Sequence, residues 1–153
     1  MPYEIKVVKK TLDINLLSII EISYCVAEIM KKKKNGSIIN ITSLGAHQGF
    51  ESNPSYQVSK SGLSQLTRAM AKDYGKFGIR VNSICPGYIK TNMTIKSYLD
   101  IKRNKMYKNR TMLKRWGKSE DLSGPCLFLA SKLSSYITAS EILVDGGWLK
   151  NSY

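Results

Sequence analysis

Cysteine offers this chain little to work with: Cys25, Cys85 and Cys126 are odd in number, far apart and without metal-ligand spacing. Neither a disulfide framework nor a metal site is therefore expected, and the pattern predicts three buried or half-buried thiols in a reducing compartment. The opening Met-Pro-Tyr-Glu-Ile-Lys has no apolar core, so no secretory signal is expected and the predicted location is cytoplasmic. Long apolar runs are missing too. The longest, Ile14 to Met30, is broken by Glu21 and Glu28, which argues against a membrane span. Acidic residues are scarce, 11 against 24 Lys and Arg, for a net charge of +13. Yet no recognition-helix motif and no aromatic interleaving accompany the lysines, so nucleic acid is not an expected partner. Lys31 to Lys34 instead end a helix, where cations suit the macrodipole. Internal repeats and linkers are absent, and 153 residues make one domain's worth of chain.

What is present alternates between two periodicities. Ile14, Leu17, Ile22, Cys25, Val26, Ile29 and Met30 recur at helical spacing between about 11 and 34, and Asn35-Gly36 reads as the stop. Ser37 to Thr42 read as a buried strand, 44 to 53 as a loop, and Pro54 to Phe77 as a long helix ended by Gly78. Ile79 to Ile84 form a second strand broken by Pro86-Gly87, and a Lys-rich stretch from 88 to 118 has room for one or two short helices. Ser119 is placed to cap a further helix running to about Ser131, and Ile142 to Val144 form a last strand before Asp145-Gly146-Gly147. Strands separated by helices predict parallel pairing through right-handed crossovers, hence an α/β fold with about three strands and flanking helices.

One constellation on this frame carries chemistry. Ser43 ends the first strand, Tyr56 follows after twelve intervening residues, and Lys60 lies four residues beyond Tyr56. Asn53-Pro54 is a helix start, which puts Tyr56 in the first turn and Lys60 on the same face. A phenol and an ammonium about 6 Å apart make an acid whose pKa is pulled below its usual value of about 10. Such a pair moves protons to or from an oxygen near neutral pH.

These residues resemble the short-chain dehydrogenase/reductase family. The likeness runs from Gly36 to Trp148 and, more loosely, from Asp13 to Met30. It includes Asp13-Ile-Asn15-Leu, Ile38-Ile-Asn-Ile-Thr-Ser43, Tyr56-x-x-x-Lys60 and Arg80-Val-Asn-Ser-Ile-Cys-Pro86-Gly87. It continues through Arg115-Trp-Gly, Ser119-Glu-Asp-Leu, Phe128-Leu-Ala-Ser and Val144-Asp-Gly-Gly147. The resemblance implies the C-terminal part of a Rossmann-like doubly wound parallel sheet and hydride transfer between NAD or NADP and a secondary alcohol or ketone. It implies Tyr56 as acid or base, Lys60 as its pKa-lowering partner and ribose contact, Ser43 as the holder of the substrate oxygen, and Asn15 as the anchor of a relay water. Pro86, Gly87, Ile89 and Thr91 match the turn over the nicotinamide, with the Ile89 N–H meeting the carboxamide. Asn40, Asn82 and Asp145 fit the pattern too, but are expected to satisfy backbone groups. His47 falls where the family lines its substrate pocket, although a solvent-exposed loop histidine is the expectation. Around Pro86-Gly87 and Asp145-Gly-Gly-Trp148 the wording is most similar to members that oxidise sugar acids, with 3-oxoacyl reductases next.

The same resemblance implies what is not here. No Thr-Gly-x-x-x-Gly-x-Gly turn of the kind that receives pyrophosphate at a helix N-terminus precedes Gly36. Residues 1–153 are therefore expected to form one partial domain lacking its first strands, either as a fragment or as a truncated product. The alternative to an enzyme is an inactive assembly module, homo-oligomeric through the helices at 11–34 and 54–77, which resemble the family's subunit-interface pair.

Overall fold

The computed structural model describes residues 3–151, so the extreme ends of the expected 1–153 unit lie outside the described residues. Helices α1 (Ile5–Leu12) and α2 (Ser18–Lys33) form one continuous rod, joined through a π-helical turn at Asp13–Leu17. The rod starts earlier than expected because Val8, Leu12, Leu16 and Ile19 continue a half-buried stripe backward at helical spacing. It also ends differently. The expected stop at Asn35-Gly36 is replaced by Lys34, whose backbone is left-handed at φ 51°. The Lys34 N–H donates to the Lys31 carbonyl at 3.2 Å and the Asn35 N–H to the Met30 carbonyl at 3.4 Å, the two bonds of a Schellman cap. Gly36 is thereby released to begin β1 (Gly36–Ile41).

Helix α3 (Pro54–Tyr74) carries the chain from β1 to β2 (Ile79–Pro86), and α4 (Ile95–Leu99), α5 (Ile101–Arg110) and α6 (Ser123–Ala130) precede β3 (Glu141–Val144). The sheet order is β1-β2-β3, and both pairings are parallel, with Ile38 opposite Val81 and Cys85 opposite Leu143. Side-chain alternation divides β2 between two layers. Ile79 and Val81 meet Ala27 of α2 and Met70 and Ala71 of α3 in one core cluster. Full burial of an aliphatic side chain there contributes roughly 1.5–3 kcal/mol. Arg80 and Asn82 face the other way: the Arg80 guanidinium donates to the Ser134 hydroxyl at 2.8 Å, and Ser37, opposite Arg80, donates to the Leu129 carbonyl of α6 at 2.8 Å. Helices therefore cover both faces of a three-stranded parallel sheet, as a doubly wound Rossmann-like arrangement requires. No strand among the described residues pairs with the outer edge of β1.

Two further expectations change. Ser119 does not cap α6. The chain first makes a 3-10 turn at Ser119–Leu122, where the Asp121 carboxylate accepts from the Lys118 N–H at 2.7 Å, so the capping group comes from within the turn. The thiols divide as well. Cys85 is buried on β2, but Cys25 and Cys126 are exposed, because the helix faces that carry them meet no other layer. No described helix is long and apolar enough to cross a membrane.

Candidate active site

Parallel strands deliver their C-terminal ends to one edge of a sheet, and the expected residues gather there. Ser43 leaves β1 in extended conformation, and its Oγ accepts from the Gly45 N–H at 3.2 Å. That bond occupies an acceptor site and leaves the hydroxyl proton free to donate. Pro54 begins α3 at a position where its missing N–H costs nothing. The Asn53 side chain makes no capping bond, and the Gln57 side chain instead fastens the preceding loop. Its Nε2 donates to the Asn53 carbonyl at 2.9 Å and the Phe50 carbonyl at 2.7 Å, while its Oε1 accepts from the Phe50 N–H at 2.7 Å. Gln57 thus pins the loop between Ser43 and Tyr56 onto the helix. Nothing in the sequence distinguishes Gln57 from a solvated helix glutamine.

Lys60 rises one turn beyond Tyr56, with Nζ 5.8 Å from the Tyr56 ring centroid. The ammonium donates to the Ile41 carbonyl at 2.8 Å, tying α3 to the end of β1 two residues before Ser43. Burial holds the Lys60 pKa below its ordinary 10.5. Asn15 arrives from the opposite side, within the π-helical turn, where the wider backbone ring is a recurrent feature of functional positions. Its Nδ2 donates to the Ser59 hydroxyl at 3.4 Å, and Ser59 donates to the Tyr56 carbonyl at 2.7 Å. Ser59 is fully buried and links Asn15 to the residue pair. Asn15 is thereby linked through Ser59 to the Tyr56 backbone, Lys60 stands beside the Tyr56 ring, and Lys60 bonds the chain two residues before Ser43.

The neighbouring strand ends in the Pro86-Gly87 turn. The Gly87 N–H donates to the Val144 carbonyl at 3.0 Å, and a Cβ at Gly87 would lie 2.6 Å from the Asp145 Cα. Only glycine permits that approach. Ile89 forms an isolated parallel bridge with Gly117, in which the Lys90 N–H donates to the Gly117 carbonyl and the Gly117 N–H to the Tyr88 carbonyl. The Ile89 N–H takes no part in the bridge. Thr91 is exposed and packs its N–H against the Thr94 hydroxyl at 3.0 Å, while Thr94 donates to the Ile89 carbonyl at 2.5 Å. Thr94 thus fixes the turn that carries Ile89 and Thr91, a role its place in a polar stretch gave no sign of.

An aromatic cluster secures the segment beyond. Tyr88 stacks on Tyr107 of α5 with centroids 3.9 Å apart, and both rings contact Trp116 and Trp148. Burial, reinforced by Tyr107, pushes the Tyr88 phenol well above its ordinary range. The Arg110 guanidinium lies 4.4 Å from the Trp148 ring centroid. Arg115 pairs with Asp121 at 2.7 Å, and that guanidinium holds the carboxyl down at about 2. A cavity of about 470 Å³ beneath this cluster touches Ile89, Arg115, Asp121 and Gly147 but none of Asn15, Ser43, Tyr56 or Lys60. Asn82 bridges backbone as expected, donating to the Ile137 carbonyl and accepting from the Ser140 N–H, and Asp145 accepts from the Gly147 and Leu149 N–H groups. Asn40 instead donates to the Thr67 hydroxyl of α3 at 2.9 Å. His47 is exposed, and its Nε2 contacts the Glu141 carboxylate.

Comparison with known proteins gives a consistent picture. A family model described as enoyl-(acyl carrier protein) reductase matches residues 3–149. The chain is 42% identical over 139 residues to 2-dehydro-3-deoxy-D-gluconate 5-dehydrogenase of Dickeya dadantii, covering 90% of this chain and 55% of that protein. It is 38% identical over 136 residues to the 3-oxoacyl-[acyl-carrier-protein] reductase of Thermotoga maritima, covering 89% and 54%. Among solved structures, the gluconate 5-dehydrogenase of Burkholderia cenocepacia, in complex with NADP and tartrate, superposes with a TM-score of 0.94 at 28% identity, covering 97% of this chain and 58% of that one. The chain spans about half the length of the curated relatives it matches.

Proposed function

Because the chain belongs to the short-chain dehydrogenase/reductase family, we propose that it supplies the acid–base half of an NAD(P)-dependent oxidoreductase acting on a secondary alcohol or ketone. The observation that carries this reading is the linked array at the end of β1: Lys60 beside Tyr56 and bonded to the Ile41 carbonyl, with Asn15 reaching Tyr56 through Ser59. In carbonyl reduction the Tyr56 phenol gives its proton to the substrate oxygen, and in alcohol oxidation the phenolate takes one. The half-buried Lys60 ammonium stands beside the Tyr56 ring and is held there by its bond to the Ile41 carbonyl. Ser43, with its hydroxyl proton free, donates to the same substrate oxygen. The Asn15 side-chain carbonyl remains available to hold a water that restores the proton through Lys60.

The residues present fit a nicotinamide. The Ile89 N–H is left outside its bridge, and Pro86, Gly87, Ile89 and Thr91 would hold the carboxamide end of the cofactor on the turn that the close Gly87–Asp145 approach fixes. When bound, NAD or NADP supplies the hydride; the chain binds, orients and moves the proton. Sugar acids are the favoured substrates. The gluconate-type relatives support this reading, and so do Lys102, Arg103, Lys105, Lys108 and Arg110, which stand exposed on or beside α5 where an anionic substrate would enter. The test is NAD(P)-linked turnover across hydroxy-sugar-acid and 3-oxoacyl panels. Sugar-acid oxidation is expected, and silence across both panels would count against an enzyme.

A second reading, homo-oligomeric assembly, is favoured by one observation. Ile14, Leu17, Ile22 and Ile29 are exposed along the α1–α2 rod, and Val58 is exposed on α3. An apolar face of this extent is a pairing surface for a second copy. A concentration-dependent mass in sedimentation, abolished by Leu17→Lys with Ile22→Lys, would support it.

A further inference from the structure

Beneath the loop that follows Ser43 lies a cluster that the oxidoreductase reading does not use. His47 from that loop, Cys85 from β2 and Glu141 from β3 each offer a ligating atom, and these atoms all lie within 4.8 Å of one another. We propose that they form a zinc-type divalent metal site, independent of the proposed catalytic array.

The sheet explains the convergence. Ser83 and Glu141 are register partners, and Cys85 lies two residues beyond Ser83 on the same face. The loop after Thr42 folds back over that face and lowers His47 onto Glu141, whose carboxylate contacts the ring Nε2. The Glu141 carboxylate is also held from behind. Its Oε1 accepts from the Thr42 hydroxyl at 2.6 Å and the Ser83 hydroxyl at 3.0 Å, leaving Oε2 directed at His47. Hydroxyls fixing the far oxygen of a ligating carboxylate are the outer-shell arrangement that orients metal ligands. The Glu141 side chain is only 16% exposed and Cys85 is wholly buried, so this is not a solvated acidic patch.

The donor set selects the ion. Imidazole, thiolate and carboxylate together suit Zn²⁺, whereas an all-oxygen shell would be needed for Mg²⁺ or Ca²⁺. Ligand atoms on one tetrahedral zinc stand about 3.4 Å apart, so the ion would part His47 Nε2 from the Glu141 oxygen it contacts while Cys85 stays within reach, a shift made most easily by exposed His47. Coordination takes Cys85 as the thiolate, its proton passing to solvent, and the thiolate and carboxylate together neutralise the dication. Three protein ligands leave a fourth position for water. The ion would clamp the loop behind Ser43 to β2 and β3.

The test is titration of the purified chain with Co²⁺, reading thiolate-to-cobalt charge transfer in the near ultraviolet. One equivalent should saturate the band, and Zn²⁺ should bleach it. Cys85→Ser should abolish the band, while a Cys25→Ser, Cys126→Ser double variant should keep it. His47→Gln, a change in an exposed loop that leaves folding alone, should weaken Co²⁺ binding at least tenfold, and Zn²⁺ should raise the melting temperature of the parent but not of Cys85→Ser. Absence of the band in folded protein, its survival in Cys85→Ser, or its loss in the double variant would overturn the proposal.

Discussion

Replacing Asn82 with alanine tests how β3 is held to the rest of the sheet. The side chain is wholly buried, and both ends of its amide are committed. Nδ2 donates to the Ile137 carbonyl at 2.9 Å, and Oδ1 accepts from the Ser140 N–H at 3.0 Å. Alanine leaves two backbone groups without those partners in the segment just before Glu141. A fully buried group so stranded costs about 1–3 kcal/mol; Ile137 is half-buried and Ser140 exposed, so water partly replaces the lost bonds and the total loss should be about 1–3 kcal/mol. Urea unfolding followed by circular dichroism reads this as a lower midpoint at unchanged slope. Asn82→Leu restores the volume but not the bonds and should recover little of the loss. If alanine costs less than about 1 kcal/mol, or if leucine recovers most of the stability, shape rather than bonding holds the segment, and the account of β3 is wrong.

Three further outcomes follow from local geometry. Gly87→Ala drives a Cβ to 2.6 Å from the Asp145 Cα, so it should destabilise by about 1–3 kcal/mol, read as a shifted urea midpoint. Lys34→Gly relieves a left-handed lysine at the end of α2 and should stabilise by about 1 kcal/mol, measured by thermal unfolding. Burial lowers the Lys60 pKa, so as pH rises the folded chain releases that proton before the unfolded chain does. Lys60 therefore adds a rise in stability between its lowered folded pKa and 10.5, and Lys60→Met should remove that rise when urea unfolding is repeated through the alkaline range.

The legible parts of this molecule are those whose causes lie close together in sequence. Tyr56 and Lys60 share a helix face because Pro54 starts α3, and four residues of spacing determine the rest. The alternation of strand and helix is equally local, and it yields the parallel sheet. Features whose causes are distant were hidden. Gln57 matters because Phe50 returns to it, and Ser59 because Asn15 arrives from another helix. Tyr88, Tyr107, Trp116 and Trp148 gather from separate segments, so no spacing announces them. Cys85 showed no metal-ligand spacing because its neighbours His47 and Glu141 come from two other segments of the chain. Lys34 was hidden for a different reason: a lysine ordinarily avoids the left-handed region, and the adjacent Asn35-Gly36 offered a better stop.

The central claim is that Tyr56 moves the proton at an acid–base centre assembled by Lys60, Ser43 and Asn15. Tyr56→Phe removes one oxygen and leaves the ring, the Ser59 bond to the backbone carbonyl and the Lys60 bond to Ile41 in place. NAD(P)-linked turnover of a hydroxy sugar acid should therefore fall by about 10²–10⁴ in kcat, with the urea midpoint unchanged. A Tyr56→Phe protein that turns over as fast as its parent would contradict the account.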